Sequence, residues 1–151
     1  MKIVKKILIV LLIALVLIQF YRPEKNNAEY RDVASFEKET QVTPQIKAIL
    51  ETNCYDCHSN KTVYPWYAEV APVSYFLSDH IEEGNEHLNL SNWDSYSLKK
   101  KDHKLDELIE EVEEGEMPLT SYTITHGSLS NQDKETIITW AKQVRARYNI
   151  K

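Results

Sequence analysis

The sequence contains little cysteine, glycine and proline, and each shortage narrows what the chain can be. Among 151 residues there are two cysteines, three glycines and five prolines. Two cysteines exclude a framework of several disulfides, and so little glycine and proline excludes collagen-like and low-complexity chains. The sequence also shows no Gly-rich phosphate-binding loop, no internal repeat and no nucleophile–base spacing among its hydroxyl residues. Long Glu- and Lys-rich stretches between apolar residues favour one small helical domain.

Basic residues are fewer than acidic ones. The chain has 18 lysines and arginines against 23 aspartates and glutamates, which gives a formal net charge of -5. Four of the basic residues lie within residues 1–22, where there is no acid, so the remainder is more acidic still. Nucleic acids and anionic lipids attract basic surfaces, and this balance therefore argues against either as the main partner. An acidic surface suits an electron carrier that meets a basic partner protein.

The two cysteines lie together in the sequence Cys54-Tyr55-Asp56-Cys57-His58. This is a C-x-x-C-H motif, the attachment signature of a c-type haem. Each thiol can add to one haem vinyl group to form a thioether, and the adjacent histidine can then bind the iron as an axial ligand. The motif predicts one covalently attached haem c bound by Cys54, Cys57 and His58, with His58 as a metal ligand.

Three other interpretations of the C-x-x-C-H motif remain open at this point. A thiol–disulfide redox site would need strands and helices in alternation around it, and no such alternation is apparent. A structural zinc site usually needs four nitrogen or sulfur ligands, and neither a second C-x-x-C nor an H-x-x-x-H occurs. The motif can also be a chance occurrence in a surface loop.

An apolar run lies at the N-terminus. Lys2, Lys5 and Lys6 precede uninterrupted apolar sequence over residues 7–18, and no small-x-small cleavage site follows. This pattern predicts an uncleaved signal-anchor that forms a transmembrane helix, with a cleaved secretory signal as the alternative. Because lysines flank such helices on the cytoplasmic side, we expect a single-pass protein of the cytoplasmic membrane whose remaining chain faces the periplasm.

The chain divides into three predicted parts. Residues 1–22 are the signal-anchor, residues 23–42 a polar tether with some helical tendency over 34–39, and residues 43–151 a haem-binding domain. Thr43 and Pro44 are typical of the N-cap and first position of a helix, and this helix leads into Cys54. Further helices are predicted over 73–88, up to Gly115, and after Ser130. The predicted fold is a small all-α, cytochrome c-like domain around one haem.

Met117 lies in a loop beside Pro118 and is the only methionine besides the initiator. A loop methionine is a good sixth ligand to haem iron, because its thioether is a soft, neutral donor that raises the reduction potential. We therefore predict that Met117 is the second metal ligand. A gap-filling core methionine, or a histidine as the sixth ligand, is the alternative. Tyr64 and Trp66, which follow the C-x-x-C-H motif, either wall the haem edge or pack in the core.

Taken together, these motifs resemble the haem-binding domain found in many Bacteroidetes-type exported proteins. The resemblance covers about residues 44–148, and its similar segments are residues 54–60, 64–67, 88–93, 117–118, Tyr122 and His126. It implies thioether bonds at Cys54 and Cys57, axial ligation by His58 and distal ligation by Met117. It also implies structural or pocket roles for three further residues, Trp66, Trp93 and His126.

The sequence thus predicts a membrane-tethered, single-haem c-type cytochrome that transfers electrons outside the cytoplasmic membrane, with no catalytic residues and no enzyme activity. Its expected partners are the membrane, through the N-terminal helix, and an unidentified redox protein; neither nucleic acid nor a small-molecule substrate is expected. One alternative is a haem-based peroxidase or gas sensor with a labile sixth ligand, where His80 or His126 acts on the distal side. A second is a non-haem interaction module with a Cys54–Cys57 disulfide.

Overall fold

The computed structural model of the chain describes residues 2–149, so the ends of the first and last predicted parts lie outside the described residues. Over this range the regular structure is helical, and the predicted all-α class is confirmed. The same range contains one isolated antiparallel β-bridge, between Asn27 and Lys61. Two short 3₁₀ helices lie at Trp66–Glu69 and Leu90–Ser95. The α-helices are α1 (Lys2–Ile18), α2 (Ala34–Glu39), α3 (Pro44–Asn53), α4 (Val73–His87), α5 (Leu98–Glu114), α6 (Thr120–His126) and α7 (Asn131–Tyr148).

The predicted N-terminal transmembrane helix is wrong. Helix α1 has 17 residues, and at a rise of about 1.5 Å per residue it extends about 25 Å, less than the roughly 30 Å of a bilayer's hydrocarbon core. Just after α1, the side-chain amide of Gln19 hydrogen-bonds both backbone groups of Ala71, which fixes this end to the helical body. Across residues 2–149, no helix combines the length and the apolar character needed to cross a membrane. The predicted signal-anchor and single-pass localisation are corrected accordingly.

Three helix ends lie where the sequence predicts them. The Thr43 hydroxyl accepts a hydrogen bond from the Ile46 amide and begins α3, with Pro44 in the first turn. Helix α5 ends at Gly115, whose φ of 81° is the left-handed conformation that glycine adopts without steric cost. Ser130 caps α7 in the same way as Thr43 caps α3. These signals are local, which is why the sequence alone predicts them.

The core is formed mainly between α5 and α7, with α3 packed on α7 and α2 on the 3₁₀ helix Leu90–Ser95. Phe36 of α2 is fully buried, with its ring centroid 5.0 Å from that of Trp93 and 6.0 Å from that of Trp140. The Trp140 indole donates to the Thr40 carbonyl at 3.1 Å. Residues within the predicted tether therefore pack as part of the helical body.

Candidate cofactor site

A cavity of about 500 Å³ lies among α3, α4, α5 and the loop after α5. Its size is within the roughly 300–1,000 Å³ range of cofactor sites. Both cysteines, His58 and Met117 line it, although Met117 is distant from the motif in the sequence. Exposed charged side chains, such as Glu83 and Glu111, line its mouth. Its floor consists of buried core residues: Ile49, Leu50, Leu90, Val112 and Ile137.

The cysteines reach the cavity because the chain turns sharply where α3 ends. The amides of Cys57 and His58 both donate to the Cys54 carbonyl, at 3.2 and 2.9 Å. Burial raises the pKa of Cys54 to about 12, and burial with the nearby Asp56 raises that of Cys57 to about 11. A reactive redox pair lowers a cysteine pKa instead. This environment therefore disfavours the thiol–disulfide interpretation.

His58 is held in one tautomer by α4. Its Nδ1 lies 2.9 Å from the carbonyl oxygens of both Gly84 and Leu88. Because carbonyl oxygens only accept hydrogen bonds, Nδ1 carries the proton and Nε2 keeps its lone pair. Burial lowers the pKa of His58 and so favours the neutral ring. Metal-binding histidines show the same arrangement, in which the nitrogen that does not bind the metal donates to a carbonyl.

Gly84 is a site residue that the sequence argument does not identify. A Cβ atom at this position would lie 3.1 Å from the Cys57 carbonyl oxygen and 3.3 Å from the Cys57 Cβ. Glycine therefore allows α4 to approach the motif closely enough for the Gly84 carbonyl to meet the His58 ring. The available signal was an isolated glycine inside a helical pattern, in a chain with only three glycines.

Residues 26–31, here called the strap, lie along the loop that follows the C-x-x-C-H motif. The Asn26 amide side chain donates to the Ser59 carbonyl at 2.8 Å. Arg31 Nη2 lies 2.6 Å from Asp56 Oδ1, and Arg31 also donates twice to the Lys61 carbonyl. The side chains of Arg31 and Asp56 are 20% and 16% exposed, so their ion pair is mostly shielded from solvent. The strap thus fixes the motif from outside the cavity.

Met117 reaches the cavity from the loop between α5 and α6. Its amide donates to the Glu111 carbonyl at 3.0 Å, near the C-terminal end of α5. The side chain is partly buried against the core, and Pro118 and Leu119 line the cavity beside it.

The other sequence-predicted site residues lie elsewhere. The Tyr64 hydroxyl accepts a hydrogen bond from the backbone N–H of Asn26. Trp66 is 82% exposed, and Trp93 is buried in the core. The exposed His126 ring stacks on Tyr122 with centroids 4.0 Å apart, and only Tyr122 of these two lines the cavity. The structure thus brings together Cys54, Cys57, His58, Met117 and Pro118, and it does not bring Tyr64, Trp66, Trp93 or His126 to the cavity wall.

The donor set of the cavity fits a haem. Thiol, imidazole and thioether groups are the side chains that hold haem and its iron in c-type sites. The apolar floor suits the face of a porphyrin ring. By contrast, no group of three or more His, Cys, Asp and Glu side chains within residues 2–149 is placed to hold a metal ion. The zinc interpretation therefore finds no ligand set in this range.

Comparisons with known proteins address the same question from the sequence. The sequence model of a family described as the haem-binding domain matches residues 13–143. This range includes the C-x-x-C-H motif, the strap and the Met117 loop, and it confirms the resemblance inferred from the motifs. No curated protein and no solved structure gives a significant match. The match covers most of the chain, and the protein therefore belongs to the haem-binding domain family.

Proposed function

We propose that the protein is a single-haem c-type cytochrome that transfers electrons. Cys54 and Cys57 attach the haem, and His58 and Met117 bind its iron. The observation that supports this proposal is the convergence of all four side chains on one cavity. A chance C-x-x-C-H in a surface loop would have no reason to share a cavity with the loop methionine.

The atoms that form the attachment come from the two thiols and the haem vinyl groups. Cys54 and Cys57 would each add a sulfur to one vinyl carbon and a proton to the other, so that a C–S and a C–H bond would replace the S–H bond and the double bond. No leaving group or oxidant is needed. The close placement of Cys54 and Cys57 around one tight turn holds both sulfurs against the same wall.

His58 and Met117 supply two neutral donors from different parts of the chain. When bound, haem supplies an iron centre that changes oxidation state by one electron. The carbonyls of Gly84 and Leu88 orient the His58 ring before any ligand arrives. Met117 favours the reduced state through its thioether. If His58 and Met117 both bind the iron, no position is left for a substrate, and electron transfer is favoured over chemistry on a bound substrate.

The peroxidase or sensor alternative has weaker support. His80 lines the cavity, but it lies on α4, the helix whose carbonyls hold His58, and its Nδ1 is 2.8 Å from the Phe76 carbonyl. His126 lies outside the cavity wall. A distal base would have to lie opposite His58. A ferric spectrum that cyanide and peroxide leave unchanged would agree with electron transfer.

The rim of the cavity favours a basic redox partner. Glu83, Glu107 and Glu111 lie on it against a single lysine, Lys104, which pairs with Glu107. Complementary charge steers the encounter of two proteins and raises the association rate. We expect electron transfer to a basic partner to slow as salt concentration rises.

A haem stain on a denaturing gel tests the proposal. The chain is co-expressed with a cytochrome c maturation system, beside the variant in which Cys54 and Cys57 are both serine. The wild-type band should stain for haem peroxidase activity and the variant band should not. An unstained wild-type band, with the protein visible by total-protein stain, would overturn covalent attachment.

A further inference from the structure

Helix α6 follows Met117 almost directly, yet it buries none of its residues. Ile124, its largest aliphatic side chain, is 79% exposed. Since burial of apolar surface is the main force that holds a helix on a protein body, α6 must be held in another way. The position of the Met117 loop depends on that attachment, because the loop ends where α6 begins.

Tyr122 is the residue of α6 that lines the cavity. Its hydroxyl donates to the Thr52 carbonyl at 2.7 Å and lies 3.5 Å from Asp56 Oδ2. Thr52 is in the last turn of α3, two residues before Cys54. The Tyr122 hydroxyl therefore joins the methionine side of the cavity to the cysteine end of α3.

Two neighbours keep the Tyr122 phenol in this role. Burial and the Asp56 carboxylate raise the pKa of Tyr122, so the phenol keeps the proton that it donates. The His126 ring stacks on the phenol with an interplanar angle of 7°, which restricts its orientation. Asp56 is itself held by Arg31 of the strap.

One other side-chain hydrogen bond connects α6 to a different element within residues 2–149. It runs from the Tyr67 hydroxyl to Thr125 Oγ1 at 3.0 Å, and it lies at the exposed surface. The Tyr122 hydroxyl differs because, besides its bond to Thr52, it has a partly buried contact at 3.5 Å with Asp56 Oδ2, and Tyr122 lines the cavity.

We propose that Tyr122 is a positioning residue, which latches the Met117 loop onto the cysteine end of α3 and so keeps Met117 available as the sixth ligand. This inference rests on the proposed function, because it assumes that Met117 binds the iron. Tyr122 itself does not contact the iron in this account. Its loss should loosen the methionine side and leave the covalent attachment intact.

The test compares haem-loaded wild type, Tyr122→Phe and Tyr148→Phe. Each variant removes one phenol hydroxyl, and the matched control loses a bond to Glu39, outside the cavity. Added imidazole displaces a sixth ligand from ferric haem, and its apparent affinity reports how easily Met117 leaves. We expect Tyr122→Phe to raise that affinity roughly fivefold, the factor that one ordinary hydrogen bond corresponds to. Tyr148→Phe should leave it unchanged.

Hydrogen–deuterium exchange provides a readout that does not depend on iron ligation. Amides of residues 119–126 should exchange faster in Tyr122→Phe than in wild type or in Tyr148→Phe. If both imidazole affinity and exchange stay at wild-type values in Tyr122→Phe, the latch is wrong while the cytochrome proposal stands. If the wild-type ferric protein lacks the red charge-transfer band of methionine ligation, Met117 ligation is wrong. In that case, unchanged hydrogen–deuterium exchange in Tyr122→Phe would overturn the latch as well.

Discussion

The wall of the cavity that carries His58 and the wall that carries Met117 are held in different ways. The first, here called the motif wall, comprises residues 54–58 with Gly84 and Leu88. It is fixed by the His58 Nδ1–H group, which the Gly84 and Leu88 carbonyls share, and by the strap behind Asp56. The second, the methionine wall, comprises residues 117–119 with Tyr122, and the helix that carries Tyr122 has no buried residue. One of the two proposed iron ligands is thus preorganised, whereas the other depends on a loosely packed segment.

This contrast has a functional consequence for a c-type cytochrome. In the proposed cytochrome, covalent attachment and a fixed histidine would keep the haem in place even if the opposite side opened. A displaceable methionine wall then sets how readily the sixth position becomes accessible to other ligands. The motif wall should govern retention of haem, and the methionine wall should govern its potential and ligand exchange.

Removal of haem should have the largest effect on the fold. Both walls of the cavity then lose the group that they are proposed to hold. Without haem, the apolar floor of a cavity of about 500 Å³ would be open to water, and a small domain has little stability to offset that exposure. We expect the haem-free chain to lose most of its helical circular dichroism. A haem-free protein with full helical signal and a sharp thermal transition would show that the cavity is not sustained by haem.

Replacing the two proposed axial ligands one at a time distinguishes the contributions of the two walls. Met117→Leu keeps an apolar side chain of similar volume, so covalent haem and fold should persist. The red charge-transfer band should disappear and the potential should fall on the order of 0.1 V, within the roughly 0.8 V that axial ligands span. His58→Leu should instead reduce the yield of haem-loaded protein sharply. Voltammetry and haem stain measure the two outcomes, and equal loss of haem in both variants would contradict the division of roles.

Substitution at Gly84 tests the close approach of α4 to the motif wall. Gly84→Ala places a methyl group 3.1 Å from the Cys57 carbonyl oxygen, which we expect to destabilise haem-loaded protein by about 1–3 kcal/mol. This loss outweighs the roughly 0.5–1 kcal/mol that alanine gains over glycine in a helix. Glu86→Ala, at an exposed position of α4, is the control. A higher melting temperature for Gly84→Ala would refute the proposed fit.

Substitution in the strap should have the smallest measurable effect on the stability of the motif wall. Arg31→Ala leaves Asp56 without its shielded partner, and we expect a loss of about 1–2 kcal/mol in denaturant unfolding. Lys25→Ala removes an ion pair with Glu69 whose side chains are 45% and 52% exposed. Exposed pairs contribute little, so this control should change stability by less than about 0.5 kcal/mol. Equal effects from both variants would mean that the strap does not support the motif.

Local signals explain most of what the sequence predicts correctly. Thr43, Gly115 and Ser130 mark helix ends through their own conformational preferences. The C-x-x-C-H motif indicates haem attachment from five consecutive residues. Met117 could be identified as a candidate ligand from the sequence, because methionine is scarce and this one lies beside proline in a loop.

The features that sequence reasoning missed depend on contacts between distant residues. The pairing of Arg31 with Asp56 and the role of Gly84 against Cys57 follow from how the chain folds back on the motif. No local pattern encodes either contact. The transmembrane prediction is wrong for a different reason, since hydropathy alone does not determine where a helix ends, and α1 stops at Ile18.

The most direct test of the account is the intact mass of the protein under denaturing conditions, after co-expression with a cytochrome c maturation system. We expect wild type to be heavier than its polypeptide by the mass of one haem. Met117→Leu should show the same added mass, and the double Cys54→Ser, Cys57→Ser variant should show none. A wild-type mass equal to that of the bare polypeptide, from protein that binds haem in native solution, would contradict covalent attachment and with it the central claim.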